Sequence, residues 1–184
     1  MNLCVFLLCV GAMLPNKEEK KKPVDYVNPF IGTKSMGHTF PGACVPYGAV
    51  QLSPDTENVP HNIDGVYRKD TYRYCAGYQY DDPTIVGFSH THLSGTGHSD
   101  LGDVLLMPTV GELKLIPGTA EQPEEGYRSR FSHEQEKASP GYYEVMLQDY
   151  DIKVQLTATE RVGIHKYTYP AGKREGHVIV DLLH

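Results

Sequence analysis

Residues 142–168 alternate apolar and polar side chains with a period of two, which is the pattern of half-buried β-strands. Apolar side chains occupy every second position in 143–147 and in 152–158, and Val162 and Ile164 continue the series. Successive side chains of a strand point to opposite faces, so this spacing buries one face and leaves the other in water. The alternation predicts three antiparallel strands joined by short turns.

The rest of the chain supports a fold built from strands. Proline and glycine interrupt residues 24–60 too often for a long helix. Residues 103–118 (DVLLMPTVGELKLIPG) predict two strands around Pro108, and residues 177–183 (HVIVDLL) predict a core strand. No further strand follows to cover it, so we expect this chain to be the front part of a longer protein. The expected fold is mainly β, an antiparallel β-sandwich truncated at its C-terminal end.

Length and charge limit the number of domains and the kinds of partner. A chain of 184 residues suits one domain. The formal net charge of −6 argues against a nucleic-acid partner, because such proteins need a basic face to replace phosphate counterions.

The N-terminus differs in composition from the remainder. Residues 1–14 (MNLCVFLLCVGAML) are apolar but too few to span a bilayer, and PNKEEKKKP follows. We expect residues 1–23 to be an export signal with a charged tether, with a buried N-terminal segment as the alternative. The sandwich domain is then expected over residues 24–184. Cys44 and Cys75 have no metal or redox spacing, so two free thiols are expected.

The segment Gly87–Asp100 (GFSHTHLSGTGHSD) concentrates side chains that carry chemistry. His90 and His92 would share one face of a strand and could ligate a metal ion with His98 and Asp100. The alternative is a set of histidines that hydrogen-bond neighbouring loops.

Other kinds of catalytic site find weaker support. Glycoside hydrolysis needs two carboxyl groups flanking the bond. The pairs 81/82 and 124/125 are adjacent in sequence, and the pair 100/103 flanks a glycine where an aspartate also favours a turn. No G-x-S-x-G, P-loop or dinucleotide motif is present. The glycine-rich loop therefore suits either a hydroxyl-rich ligand or a contact with another domain, and the residues alone leave both open.

Five stretches together resemble glycoside hydrolase family 92, the calcium-dependent exo-α-mannosidases. They follow one another in the family's order and cover nearly everything after residue 24, and residues 85–108 are the most specific part. The stretches are VNPFIGT (27–33), FPGACVPYGAVQLSPDT (40–56), GYQYDDPTIVGFSHTHLSGTGHSDLGDVLLMP (77–108), FSHEQEKASPGYYEVML (131–147) and IKVQLTATERVGIHKYTYP (152–170).

The resemblance implies a two-domain enzyme, with an N-terminal β-sandwich and a C-terminal (α/α) barrel that is absent from this chain. Such an enzyme releases mannose from mannose-containing glycans with inversion, and we expect an α-1,2 linkage. Calcium is implied as the cofactor of the full-length enzyme. The general acid and base are expected in the C-terminal catalytic domain, so this chain alone is expected to be inactive.

The resemblance also implies which residues of this chain lie at the rim of the cleft between the two domains. Family members often carry a tryptophan shortly before the GYxY segment, where this chain has tyrosines that can also stack on a sugar face. The candidate substrate-binding residues are Tyr72, Tyr74, His90, His92, Ser94, Thr96, His98 and Asp100.

Two hypotheses from different classes follow. The first is the N-terminal part of a secreted bacterial α-mannosidase, located outside the cell, in the periplasm or on the cell surface. The second is a stand-alone β-sandwich module that binds carbohydrate or protein.

Overall fold

The computed structural model describes residues 20–57, 62–98, 101–172 and 175–182. Within these ranges the chain forms thirteen short strands and four 3₁₀ turns, and no α-helix. The predicted mainly β class is therefore confirmed. Most of the expected export signal and one candidate site residue, Asp100, lie outside the described residues. No helix within the described ranges is long and apolar enough to cross a membrane.

The strands form two main antiparallel sheets and two small pairs. The larger sheet has the order β1-β2-β6-β7-β13, the smaller has the order β12-β11-β10-β9, and β3–β4 and β5–β8 pair separately. In chain order the strands are β1 (Ala43–Cys44), β2 (Gln51–Asp55), β3 (Asn62–Ile63), β4 (Val66–Tyr67), β5 (Thr84–Ile85), β6 (Gly87–Ser89), β7 (Leu105–Val110), β8 (Ser129–Arg130), β9 (Glu136–Ser139), β10 (Tyr142–Leu147), β11 (Ile152–Ala158), β12 (Gly163–Thr168) and β13 (Gly176–Asp181).

The four-stranded sheet is the predicted meander. Strand β10 pairs with β11 from Tyr142 opposite Thr157 to Leu147 opposite Ile152, and β12 pairs with the other side of β11. The apolar residues of β10 and β11 are buried at every second position, as the period of two requires. All three predicted strands are confirmed.

The hydrophobic core lies between the two sheets. Strands β1 and β2 lie against β10 and β11, and their buried side chains join one cluster with Phe88 of β6. Residues such as Leu52, Val145 and Leu156 are almost completely removed from water. This burial of apolar surface is the main favourable contribution to folding.

The prediction of two strands separated at Pro108 is wrong. A single strand, β7, runs through Pro108, which lies opposite Val178 of β13. Strand β6 pairs with β7 only at Phe88 opposite Leu106, so β6 has already ended where Pro108 lies. A proline is tolerated at such a position because no neighbouring strand needs its missing N–H.

A buried carboxylate fixes one end of the sandwich. Glu136 accepts hydrogen bonds from the phenol groups of Tyr78 and Tyr143, at 3.0 and 2.6 Å, and its Oε2 lies 2.5 Å from His133 Nδ1. Burial and the neighbouring carboxylate raise the pKa of both phenols, which therefore remain donors. The cluster fixes the segment before β5 against the four-stranded sheet.

Both cysteines within the described residues are free thiols, as expected. Cys75 is buried and Cys44 half-buried, and burial raises the pKa of each thiol. Neither is therefore an activated nucleophile.

Candidate functional site

The site predicted from sequence is the connection between β6 and β7, which we call the 90–104 loop. Its two ends run side by side, with His90 N–H donating to Asp103 O (3.0 Å) and Gly102 N–H donating to Thr91 O (2.9 Å). The Thr91 hydroxyl also donates to the Asp103 carboxylate, at 2.8 Å. Asp103 therefore closes the neck of the loop.

His92 lies at the base of the loop in a buried ion pair. Its Nε2 is 2.9 Å from Asp55 Oδ1 on β2, and the two side chains are 2% and 1% exposed. Its Nδ1 is 2.8 Å from the carbonyl oxygen of Gln51. Each ring nitrogen therefore faces an oxygen atom, that of the Asp55 carboxyl on one side and that of the Gln51 carbonyl on the other, and these contacts hold the ring in place.

The surroundings of this pair satisfy its remaining hydrogen bonds and restrict its space. Asp55 Oδ2 accepts from the backbone N–H of Ser89 at 3.1 Å. Gly77, with φ of +77°, lies directly over the pair, and a Cβ there would overlap Asp55 Oδ1 and lie 2.9 Å from His92 Nε2. The backbone at Gly77 can therefore lie this close to Asp55 and His92 only because glycine has no side chain.

His90 points to a different part of the molecule from His92. Its Nδ1–H donates to Val104 O at 2.8 Å, and its Nε2 lies 3.2 Å from His165 Nε2 on β12. His165 Nδ1 in turn lies 2.8 Å from the Tyr167 hydroxyl. Burial and the nearby His90 lower the pKa of His165 to about 4, so His165 is neutral near pH 7.

The metal hypothesis therefore finds no support at His90 and His92. Their nitrogens are directed to separate partners on either side of the loop. Among the described residues no three histidines, cysteines or carboxylates lie close enough to hold a metal ion. Asp100 lies outside those residues.

The tip of the loop, residues 93–98, contrasts with the base. Ser94 and His98 are exposed, and Thr96, half-buried, shares hydrogen bonds with the backbone of His98. Gly95 turns the chain with φ of +75°, and its N–H donates to His38 O at 2.7 Å. The tip thus presents hydroxyl and imidazole groups to solvent.

Of the two candidate tyrosines, only Tyr72 lies beside the tip. A Cβ at Gly97 would lie 3.5 Å from the Tyr72 hydroxyl oxygen. The Tyr72 ring also meets His38 edge to face, with 4.7 Å between ring centroids. Tyr74 lies under the Arg73 guanidinium instead, and burial together with Asp82 raises the pKa of its phenol.

His38 was missed by the reasoning from sequence. It is buried, its φ is +51°, and its Nε2 has no hydrogen-bond partner among the described residues. A buried unpaired polar atom and a non-glycine residue at positive φ are both costly, and such features cluster at functional sites. The only signal in the sequence was its place between two glycine-rich segments.

An open groove runs along the other side of the loop. It has a volume of about 590 Å³ and is lined mainly by apolar side chains. Phe40, Val45, Tyr47, Leu93 and Ser94 contribute to its walls. The groove and the loop tip together form a concave, mixed polar and apolar surface of the kind that suits a ligand or another domain.

The carboxylates considered for catalysis take part in surface ion pairs. Asp81 contacts Lys34 at 2.8 Å, Asp82 contacts Arg73 at 3.2 Å, and Glu124 contacts Arg130 at 2.8 Å. Hydrogen bonds from the backbone and from Arg130 lower the pKa of Glu124. None of these pairs lies at the loop tip, and each satisfies a local structural role.

The fold and the loop together define an antiparallel β-sandwich domain with an ordered, glycine-rich polar loop between its β6 and β7 strands. The family model of the glycosyl hydrolase family 92 N-terminal domain matches residues 26–184. The chain belongs to this family, which confirms the resemblance found in the sequence.

Solved structures of family members resemble the chain closely. The family GH92 α-mannosidase BT3965 from Bacteroides thetaiotaomicron is 46% identical, with a TM-score of 0.79, and the match covers 89% of this chain and 20% of that chain. The family GH92 inverting mannosidase BT2199 from Bacteroides thetaiotaomicron VPI-5482 is 29% identical, with a TM-score of 0.63, over 88% of this chain and 20% of that chain.

One curated relative is more distant. An uncharacterized secreted glycosidase from Arthroderma benhamiae is 29% identical over an alignment of 171 residues, and the match covers 85% of this chain and 19% of that protein. The chain therefore spans about a fifth of the length of the relatives it matches, and it is homologous to the N-terminal domain of family 92 α-mannosidases.

Proposed function

We propose that the chain forms the N-terminal part of a secreted, inverting exo-α-mannosidase. This enzyme would hydrolyse α-1,2 linkages and so remove mannose from mannose-containing glycans. The observation that carries this proposal is the 46% identity to a family 92 α-mannosidase across almost the whole chain. The acid and base would come from a C-terminal catalytic domain, so residues 1–184 alone would not turn over substrate.

The role proposed for this chain is to build one rim of the cleft. The side chains of the exposed Ser94 and His98 and of the half-buried Thr96 offer donors and acceptors to sugar hydroxyls or to the catalytic domain. Tyr72 stands beside them and can stack on a sugar face. Tyr74, His90 and Asp100 remain candidates for the same rim, whereas the buried His92 would act by holding the loop in place.

Calcium, which the family implies, does not fit the described residues. The ion takes six to eight oxygen ligands, and these residues offer no group of three carboxylates or histidines close enough to start such a shell. A calcium site of the full-length enzyme would therefore draw its ligands from elsewhere. An export signal over residues 1–23 would place the protein outside the cytoplasm of a bacterium.

A fusion protein tests the proposal. Residues 26–184 replace the matched segment of the mannosidase BT3965, and hydrolysis of α-1,2-mannobiose is measured with calcium present. We expect turnover by the fusion and none by the 184-residue chain alone. A folded but inactive fusion, together with mannobiose binding by the chain alone, would favour the stand-alone binding module instead.

A further inference from the structure

His38 carries a buried polar atom that has no use in the unliganded fold. The residue is 7% exposed, whereas residues 34–37 before it are exposed, and its Nε2 has no hydrogen-bond partner among the described residues. Its φ of +51° is a conformation that histidine tolerates better than most residues, so the unpaired nitrogen is the more informative cost. A buried group without a hydrogen bond destabilises the folded state, and native proteins contain few of them.

The contacts that His38 makes do not need a histidine. Its carbonyl oxygen accepts from the N–H of Gly95 at 2.7 Å, which the backbone of any residue could do. Its ring lies edge to face against Tyr72, with 4.7 Å between the ring centroids, and an apolar side chain such as methionine could pack there without an unpaired nitrogen. Within the described residues, neither contact therefore explains the imidazole.

The backbone holds His38 firmly in this costly position. Residues 31–39 form a closed turn, in which the N–H of Thr39 donates to Gly32 O at 3.3 Å. A Cβ at Gly37 would overlap the backbone of Gly32, so the two sides of the turn approach each other closely. A residue in a costly state persists only where its surroundings fix it, and residues fixed in this way are typical of binding sites.

The groups that cover His38 are small and lie at the surface. They are the half-buried ring of Tyr72 and the tip of the 90–104 loop, which Gly95 joins to the His38 carbonyl. A Cβ built at Gly95 would lie in open space, and the nearest atoms to a Cβ at Gly97 are those of the Tyr72 ring, at 3.5 Å. The ring and the tip can therefore shift without a change in the core, and side-chain movements of this size are common on binding.

We propose that His38 is a ligand-binding residue of the cleft, and that its Nε2 bonds one hydroxyl group of the glycan once the Tyr72 ring moves aside. A hydroxyl group both donates and accepts, so it suits a neutral imidazole in either tautomer. The surroundings match this ligand class, because Tyr72 offers an aromatic face and Ser94 and Thr96 offer further hydroxyl groups. The identity of the ligand rests on the proposed function, whereas the unpaired nitrogen is a feature of the structure itself.

A contact between His38 and the catalytic domain is the competing explanation. A group of that domain would meet His38 without any ligand, so the loss of the contact would affect every substrate alike. A hydrogen bond to a glycan hydroxyl would be lost only with substrates that possess this hydroxyl. Substrates that lack single hydroxyl groups therefore separate the two explanations.

The first measurement compares two substitutions of nearly equal shape. Methionine and glutamine have similar length and volume, but only glutamine ends in a polar group. In the 184-residue chain, His38→Met should melt at least about 2 °C higher than His38→Gln, because it buries no unpaired polar atom. In the fusion with the mannosidase BT3965, kcat/KM on α-1,2-mannobiose should fall about tenfold or more in His38→Met and about threefold or less in His38→Gln. The order of stability is then the reverse of the order of turnover.

Ser35→Ala is the matched control on the same turn. Ser35 also has a positive φ, of +56°, but it is exposed. The kcat/KM of this variant should stay within about twofold of that of the unsubstituted fusion. A loss as large as that in His38→Met would attribute the effect to the turn conformation and would overturn the role of the nitrogen.

Analogues of α-1,2-mannobiose that each lack one hydroxyl group identify the contact. The unsubstituted fusion should hydrolyse one analogue about tenfold more slowly, and His38→Met should cause no further loss with that analogue. An equal loss with every analogue would overturn the proposal and assign His38 to the fold or to a domain contact. Unchanged turnover of mannobiose in His38→Met, or a His38→Met chain no more stable than His38→Gln, would also overturn it.

Binding measurements decide the proposal if the fusion is folded but inactive. The same variants and analogues are then compared by isothermal titration calorimetry, with the dissociation constant in place of kcat/KM. An inactive fusion that binds mannobiose through His38 contradicts the proposed reaction and supports the proposed contact. A fusion that neither hydrolyses nor binds mannobiose overturns the contact as well.

Discussion

The base and the tip of the 90–104 loop contain similar residue types in opposite environments. At the base, His92 is buried and hydrogen-bonded to Asp55 and to the backbone of Gln51. At the tip, a few residues later, Ser94 and His98 are exposed. A motif of fourteen residues therefore contains both the support of a site and its accessible surface.

The comparison teaches that residue type alone does not assign a role. A buried pair of polar side chains with its hydrogen bonds satisfied fixes geometry, because removing one partner leaves the other buried without its hydrogen bond. An exposed hydroxyl or imidazole contributes little to folding and is available to a ligand. Substitutions at the base should therefore change stability, whereas substitutions at the tip should change recognition.

The largest expected effect comes from breaking the base. His92→Ala leaves the buried Asp55 without this hydrogen-bond partner and should lower the free energy of unfolding by about 3–5 kcal/mol. Urea denaturation of the chain measures this loss. The control is Ser94→Ala at the exposed tip, with a change within about 0.5 kcal/mol. Equal losses in the two variants would remove the distinction between base and tip.

Two glycines at positive φ provide a matched comparison. Gly77 has φ of +77° and a Cβ there would overlap Asp55, whereas Gly95 has φ of +75° and open space around it. Gly77→Ala should cost about 2–4 kcal/mol, through strain and overlap together, and Gly95→Ala about 1 kcal/mol, through strain alone. Thermal unfolding of both variants measures the two losses of stability. A larger loss in Gly95→Ala than in Gly77→Ala would contradict the expected order.

A third comparison concerns the contact of His90 with β12. Because the pKa of His165 is lowered to about 4 in the folded protein, the unfolded chain, with a pKa near 6.5, binds more protons between these values. Stability from this group is complete above pH 6.5 and is lost as the pH falls towards 4, by at most about 3 kcal/mol. His165→Gln should remove that part of the pH dependence in urea titrations. If the stability of the His165→Gln variant still fell with pH as it does in the unsubstituted chain, the assignment of this pH dependence to His165 would be contradicted.

The smallest expected effect lies at Tyr72. Tyr72→Ala removes the edge contact with His38 and should cost about 1 kcal/mol, whereas Tyr72→Phe keeps the ring and should stay within about 0.5 kcal/mol. Differential scanning fluorimetry compares the two. A large loss in Tyr72→Phe would show that the hydroxyl supports the fold rather than facing the cleft.

The sequence predicted the elements that depend on local patterns. The strands β10, β11 and β12 follow from a period of two that is visible without any knowledge of the partner strand. The course of β7 through Pro108 was not predictable, because it depends on where β6 ends. The buried state of His92 depends on Asp55, 37 residues away, and no local signal reports such a pairing.

The family was recognisable from motifs, but the division of labour within the loop was not. The resemblance placed the eight candidate residues at one rim of the cleft, and the structure separates the buried His92, the His90–His165 contact and the exposed tip. His38 carried no pattern of its own, since its unpaired Nε2 is visible only after folding.

The most direct test of the division between base and tip uses the fusion with the mannosidase BT3965. Ser94, Thr96 and His98 are changed together to alanine, and kcat/KM on α-1,2-mannobiose is measured alongside the melting temperature. The account predicts a fall in kcat/KM of about tenfold or more, as expected for lost hydrogen bonds to a ligand, with the melting temperature nearly unchanged. Unchanged turnover, or a large loss of stability, would contradict it.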